Sequence, residues 1–344
     1  MFQEESSRSL RALIENEDIP GILREIDILC SEEEWKKLQD LSRFCREAAE
    51  RGRSTWSTAV YTEYRTALEA PAEYAVTVLT PGAGKWSFGP FSEVIAQSHS
   101  WESLADYLPG AHIAASVAQE RVLRGENLAD DVRTAPEIFE LPLFLAPQEE
   151  EQFLPRYHAE GIDIPDLPLI VPEENVTKLL HTKKQTKRIV LPRIERAWRD
   201  IAEVWVTESN GICVSATVQN TDIQQALAHI TSEVQIAPIS PSQVISRLTW
   251  LASSGGAHGH RRGGANGRFM AWWSISEIGG LEWPPQADFL QKANRLSWYC
   301  WVPFPQPHGW CFGLGVEHPD EKWATALLVT DTATETPPLS PVSS

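Results

Sequence analysis

From residue 7 to about residue 127 the apolar side chains recur at helical spacing: Leu10, Leu13 and Ile14 form a first stripe, Ile22, Leu23 and Ile26 a second. This half of the chain predicts a helical array. Helices are expected over residues 55–70, 72–79, 91–98, 101–108 and 111–124, punctuated by Pro71, Pro81-Gly82, Pro90, Pro109-Gly110 and Gly125. The clearest predicted helix start is Ser31-Glu32-Glu33-Glu34, where the serine would cap, Glu34 would complete a capping box, and Cys30 and Trp35 would staple the entry to a helix running to Arg51. The lengths resemble stacked helix pairs, but no fixed period establishes a solenoid.

Between residues 128 and 174 the pattern breaks up, with prolines at 136, 142, 147, 155, 165, 168 and 172 and the acidic run Glu149-Glu150-Glu151. Proline lacks an amide donor and restricts the residue before it, so an extended, irregular connector is expected over residues 128–185. Its apolar residues Phe139, Leu143, Phe144 and Ile164 indicate that it packs on a domain surface.

The second half mixes the helical and strand periods. A helix is expected from Pro192, then β-prone runs over residues 203–208 and 212–219 around Asn210-Gly211, which reads as a type I′ hairpin. Helices over residues 222–230, 240–253 and 266–278 and strands over 296–302, 310–317 and 323–330 complete the reading. The predicted fold class is α+β: a helical N-terminal domain (residues 1–127), the connector, and an α+β domain (residues 186–331) with an antiparallel-rich sheet. The tail, residues 332–344, is Thr/Pro/Ser-rich and expected to be disordered.

Composition narrows the function classes. A length of 344 residues fits two domains more readily than one. A net charge of −17 repels phosphates and anionic lipid, which argues against nucleic acid and membrane surfaces as partners. Five cysteines without a CxxC pair fit buried thiols in a reducing compartment. The opening Met1-Phe2-Gln3-Glu4-Glu5 lacks the basic start of an export signal, and no apolar window is long enough to span a bilayer, so the expectation is a cytoplasmic protein. Fourteen tryptophans call for a rigid core or an anchor-rich interface, a homodimer contact included.

One segment stands apart: Ser253-Ser254-Gly255-Gly256-Ala257-His258-Gly259-His260-Arg261-Arg262-Gly263-Gly264-Ala265-Asn266-Gly267-Arg268, with six glycines and five basic or imidazole side chains between two apolar helices. Anchored glycine serves a close approach or a left-handed turn. If the approach is to a ligand, Gly255, Gly256, His258, Arg261, Arg262, Asn266 and Arg268 are the candidate binding residues, with amides at the helix start and guanidinia suited to an anion. The structural alternative is that the glycines let one helix cross another or turn a corner, with the arginines paired to carboxylates. His258 and His260 lack a third metal ligand in the sequence, and Cys300, His308, Cys311 and His318 lack zinc spacing, so no metal or cofactor is assigned.

Other signals are weaker. Thr80-Pro81-Gly82-Ala83-Gly84-Lys85-Trp86 lacks the first glycine of a phosphate loop and places Trp86 where Ser or Thr would hold magnesium; it reads as a turn. The basic run over residues 181–188 reads as a solvated linker. Glu63, Glu69 and Glu73 with Tyr61, Tyr64 and Arg65 read as salt bridges and core aromatics rather than acid/base machinery.

Through the stretch from Ser254 to Gly259, Arg261-Arg262-Gly263 and Gly267-Arg268-Phe269-Met270-Ala271-Trp272-Trp273, the chain resembles an uncharacterised bacterial domain-of-unknown-function family, mainly actinobacterial. The resemblance extends through Trp298, Trp301, Trp310 and Val316-Glu317-His318-Pro319, and so covers the C-terminal half better than the N-terminal helices. It implies a bacterial cytoplasmic origin and no activity. The leading expectation is a non-enzymatic binding or scaffold protein using residues 253–268 for a small anionic ligand or a protein partner. The alternative is an enzyme of unrecognised type acting on a phosphorylated or nucleotide-like substrate, with the arginines stabilising charge and His258 carrying a proton.

Overall fold

The structure, a computed structural model, describes residues 10–332 apart from residues 81, 82, 85, 147, 148, 150, 151, 166, 168–177 and 182. The acidic opening and most of the Thr/Pro/Ser-rich tail lie outside the described residues, as do parts of the connector and of the turn at residues 80–86. The chain is α+β and divides into two compact units. The first comprises residues 1–145, 154–165 and 263–265; the second comprises residues 146–153, 166–262 and 266–344.

In the first unit, α1 (Ile19–Ser31), α2 (Trp35–Glu50) and α3 (Trp56–Glu69) pack through Ile22, Ile26, Leu29, Leu38, Leu41, Cys45, Ala48 and Ala59. These residues fall at the three- and four-residue intervals that put side chains on one helical face. Tyr64 and Ala67 on α3 belong to a second cluster with residues from α4 (Ala72–Ala75), α5 (Phe91–Ser98), α6 (Trp101–Leu104) and α7 (Ala111–Leu123). Leu128, Leu143 and Tyr157 join that cluster, so the proline-bearing stretch supplies core as well as covering it. Tyr157 lies on β1 (Arg156–His158), which pairs antiparallel with β2 (Gly161–Asp163).

Three features here depart from the sequence reading. Expected helices 72–79 and 101–108 are each a single α turn finished by a 3₁₀ turn, Val76–Val78 and Ala105–Tyr107. Ser31 ends α1 instead of capping α2, its hydroxyl donating to the Ile28 carbonyl at 2.8 Å. Glu33 adopts φ 55°, and Glu34 caps α2 without a side-chain bond.

The second unit is built on a six-stranded antiparallel sheet in the order β3-β5-β6-β7-β8-β4, with β3 Lys178–His181, β4 Ile212–Gln219, β5 Glu233–Ile239, β6 Ser297–Pro303, β7 Trp310–His318 and β8 Trp323–Asp331. Its helices are α8 (Pro192–Ile201), α9 (Glu203–Glu208), α10 (Ile223–Ala228), α11 (Pro241–Ser254), α12 (Gly264–Gly279, whose first two residues belong to the first unit) and α13 (Phe289–Ala293). The expected hairpin at Asn210-Gly211 is corrected: residues 203–208 are helical, and β4 pairs along its length with β8. The Gly211 amide donates to the Trp205 carbonyl at 2.9 Å, and a Cβ on Gly211 would sit 2.5 Å from that oxygen, so the glycine closes a helix instead of turning a hairpin. A complete capping box does occur, at Ser240 and Gln243, where α11 begins.

Candidate binding site

α11 is buried along its last eleven residues, from Val244 to Ser254, and ends where Gly255 takes φ 82° and Gly256 φ 78°. Both turns are left-handed, which only glycine adopts without strain. A Cβ on Gly256 would lie 2.5 Å from Asp331 Oδ2, the atom around which the loop is organised. Asp331, at the end of β8, is fully buried. Its Oδ2 accepts from the Ala257 amide at 2.6 Å and from the Ser209 hydroxyl at 2.6 Å, and Ser209 Oγ accepts in turn from the His258 amide at 2.9 Å.

The arginines divide by burial. Arg262 donates through Nη2 to Glu208 Oε1 at 2.5 Å while half of its side chain stays exposed. Arg268 meets Glu149 through Nη2 and Nε at 2.6 and 3.1 Å, both side chains being 0% exposed, and its guanidinium lies 5.7 Å from the Trp272 ring centre. Arg261 is buried. Asn266 is exposed and donates to the Arg262 carbonyl at 2.9 Å. Of the seven candidate binding residues, His258, Arg262 and Asn266 face solvent and the other four are buried.

Residues 263–265 belong to the first unit, and there the expected anion at the helix start is the chain's own. Gly264 donates its amide to Glu93 Oε1 at 3.2 Å, and Ala265 to Glu120 Oε1 at 2.7 Å. Both carboxylates are buried; Glu93 also accepts from the Tyr157 hydroxyl at 2.7 Å, and Glu120 pairs with Arg124 Nη1 at 3.0 Å. Burial, and then the charge of Glu93, push the Glu120 carboxyl up to about 7. A Cβ on Gly264 would approach Leu123 Cδ1 to 2.7 Å, so the glycine lets the backbone reach the acids. The available signal for Glu120 was the lone acid of the alanine-rich helix α7.

Tryptophan supplies the second unit's polar-tipped core. Trp205 donates to the Leu251 carbonyl at 3.0 Å and to Ser254 Oγ at 3.1 Å, and its ring lies 5.6 Å from Trp250 and 5.5 Å from Trp310. Trp56 and Trp86 are the exceptions, exposed in the first unit on a cleft of about 790 Å³ that the sequence reading missed. Glu63 and Glu69 form the expected ion pairs, with Arg46 at 2.5 Å and with Arg65 at 2.6 Å. The five cysteines are free thiols, and burial pushes Cys30 and Cys311 up to about 12. Among the described residues no group of three or more His, Cys, Asp or Glu is placed to hold a metal ion, and no helix is long and apolar enough to cross a membrane.

A family model described as "Family of unknown function (DUF6183)" matches residues 20–333. The chain belongs to the DUF6183 family. The matched span takes in the N-terminal helices as fully as the sheet, so the DUF6183 signature is wider than the C-terminal resemblance alone. Both the Gly/Arg-rich segment and the Trp56/Trp86 cleft fall inside it. No curated protein and no solved structure matches this DUF6183 chain significantly.

Proposed function

We propose that this DUF6183 protein is a bacterial, cytoplasmic, non-enzymatic binding or scaffold protein, and that residues 253–268 hold His258, Arg262 and Asn266 ready for a protein partner. The observation that carries the reading is how the segment is fixed. Its exposed His258 and Arg262 are tied from behind to Ser209 and Glu208, and Ser209 in turn to Asp331, so little conformational freedom is lost when a partner docks. Arginine in such a setting is a frequent interface anchor. Between the two partner types named from sequence, the geometry favours a protein over a small anion. Arg268 is buried against Glu149, and the amides of Gly264 and Ala265 already serve Glu93 and Glu120.

The test compares the tagged full-length protein with a His258→Ala/Arg262→Ala variant, by quantitative affinity purification and native mass spectrometry. The expected result is one stoichiometric protein partner held by the parent and lost by the variant, with the circular dichroism of the two unchanged. A bound small anion lost in the variant, or substrate turnover abolished by it, would overturn the reading in favour of a ligand site or an enzyme.

A further inference from the structure

Of fourteen tryptophans, Trp56 and Trp86 alone are exposed, at 47% and 62%, and both line the same cleft of the first unit. Singly exposed apolar residues are ordinary, whereas two indoles on one concavity mark a recognition surface. The volume, about 790 Å³, lies within the range of ligand sites, roughly 300–1,000 Å³.

The cleft already contains an example of the chemistry it accommodates. The Arg46 guanidinium lies 4.7 Å from the Trp56 ring centre, and its Nε and Nη2 donate to Glu63 Oε1 and Oε2 at 2.5 Å each. Ser42 Oγ donates to Glu63 Oε1 at 2.9 Å and fixes the acceptor. A cation is thus held between an indole and a carboxylate. Charge points the same way: among the described lining residues two arginines, Arg43 and Arg46, face three glutamates, Glu47, Glu50 and Glu63, in a chain of net charge −17. Arg43 is engaged with Asp40 at 2.9 Å and Glu47 at 3.1 Å, and Arg46 with Glu63; among the described lining carboxylates Glu50 stands outside these ion pairs, close enough for its charge to act on Arg46.

We propose that this cleft binds an arginine- or lysine-bearing peptide segment of a protein partner, its cationic side chain stacked on the Trp86 indole and neutralised by Glu50. The site is separate from residues 253–268, and either can fail alone.

Isothermal titration of the full-length protein with an acetylated and amidated Gly-Arg-Gly-Arg-Gly peptide tests it, beside the same peptide with citrulline in place of arginine. Saturable 1:1 binding is expected, weakened roughly tenfold or more by Trp86→Ala and by Glu50→Gln, and kept within about threefold by Trp86→Phe. The neutral citrulline peptide should not bind. Trp86 is exposed, so circular dichroism should show each Trp86 variant folded. The proposal is overturned by the absence of saturable heat at millimolar peptide, by equal binding of the citrulline peptide, or by an affinity indifferent to Trp86→Ala. It is also overturned if spermidine binds as tightly as the peptide, which assigns the site to free amines, or if sedimentation shows a dimer that Trp86→Ala dissolves, which assigns it to a second copy.

Discussion

The amide of Ala265 donates to Glu120 Oε1 at 2.7 Å, joining a buried acid on α7 to a residue 145 positions later in the chain. Glu120 is faced by the Glu93 carboxylate, by Arg124 and by the amide of Ala265, while Tyr157 bonds the far oxygen of Glu93. Its carboxyl is raised from 4.5 to about 7 by burial and by Glu93, so the native state holds a proton that the unfolded chain has lost between those values. The sign follows: stability contributed by the protonated form is complete below the unfolded value and is lost as pH rises through about 7. Urea midpoints measured from about pH 5 to about pH 8 should therefore fall with pH in the parent, and the slope should flatten in Glu120→Gln. An equally steep slope in the variant would assign the titration to another group.

Gly256 and Gly52 both have positive φ, 78° and 89°, but a Cβ would strike Asp331 only at Gly256; at Gly52 nothing lies within 4 Å. Gly52→Ala should cost the backbone term alone, on the order of 1 kcal/mol. Gly256→Ala should cost about 1–3 kcal/mol more, because the carboxylate holding Ala257 and Ser209 must move. Chemical denaturation of the two variants reads the difference directly, and equal costs would mean that the Asp331 contact constrains nothing.

Arg268 and Glu149 form an ion pair with no exposed side-chain surface. Removing one partner, as in Arg268→Met or Glu149→Gln, leaves a buried charge uncompensated and should cost about 3–5 kcal/mol. The double replacement Arg268→Met/Glu149→Met should be markedly less damaging than the sum of the single changes. Additive losses in a double-mutant cycle would show that the two groups act independently.

Trp205 bonds the Leu251 carbonyl and Ser254 Oγ through one N–H and packs on Trp250 and Trp310. Trp205→Phe keeps an aromatic ring but orphans the buried acceptors, with an expected loss of about 1–3 kcal/mol. Thermal unfolding should show a lowered Tm with an altered near-ultraviolet circular dichroism signal; an unchanged Tm would mean that the N–H contributes no net stability.

Much of the secondary structure was legible because it depends on near neighbours. The apolar stripe through Ile22 and Ile26 and the runs that became α3, α5 and α7 specify helices through contacts within one or two turns. Alternation and β-branched content placed β6, β7 and β8 within a residue of their observed starts. β5 was missed because Pro238 interrupts its alternation, and it exists as an interior strand because β3 and β6 flank it.

Residues 203–208 show where local preference gives way. Val204-Trp205-Val206-Thr207 is a strand former by composition, yet burial of Trp205 with its N–H satisfied by α11 makes it a helix. The Gly/Arg-rich segment was conspicuous by composition, and its need for close approach and left-handed turns was readable from the glycines. Which carboxylate meets which donor was not, since Asp331, Glu149, Glu208, Glu93 and Glu120 carry no local mark of their partners. The α+β class, most helices and the closing strands could be read from the chain alone, since these follow from periodicity within a few residues. Which arginines are buried, which acids receive the start of α12 and which two tryptophans stay exposed emerged in the fold, because ion pairing and burial are settled between residues that meet only after the chain has folded.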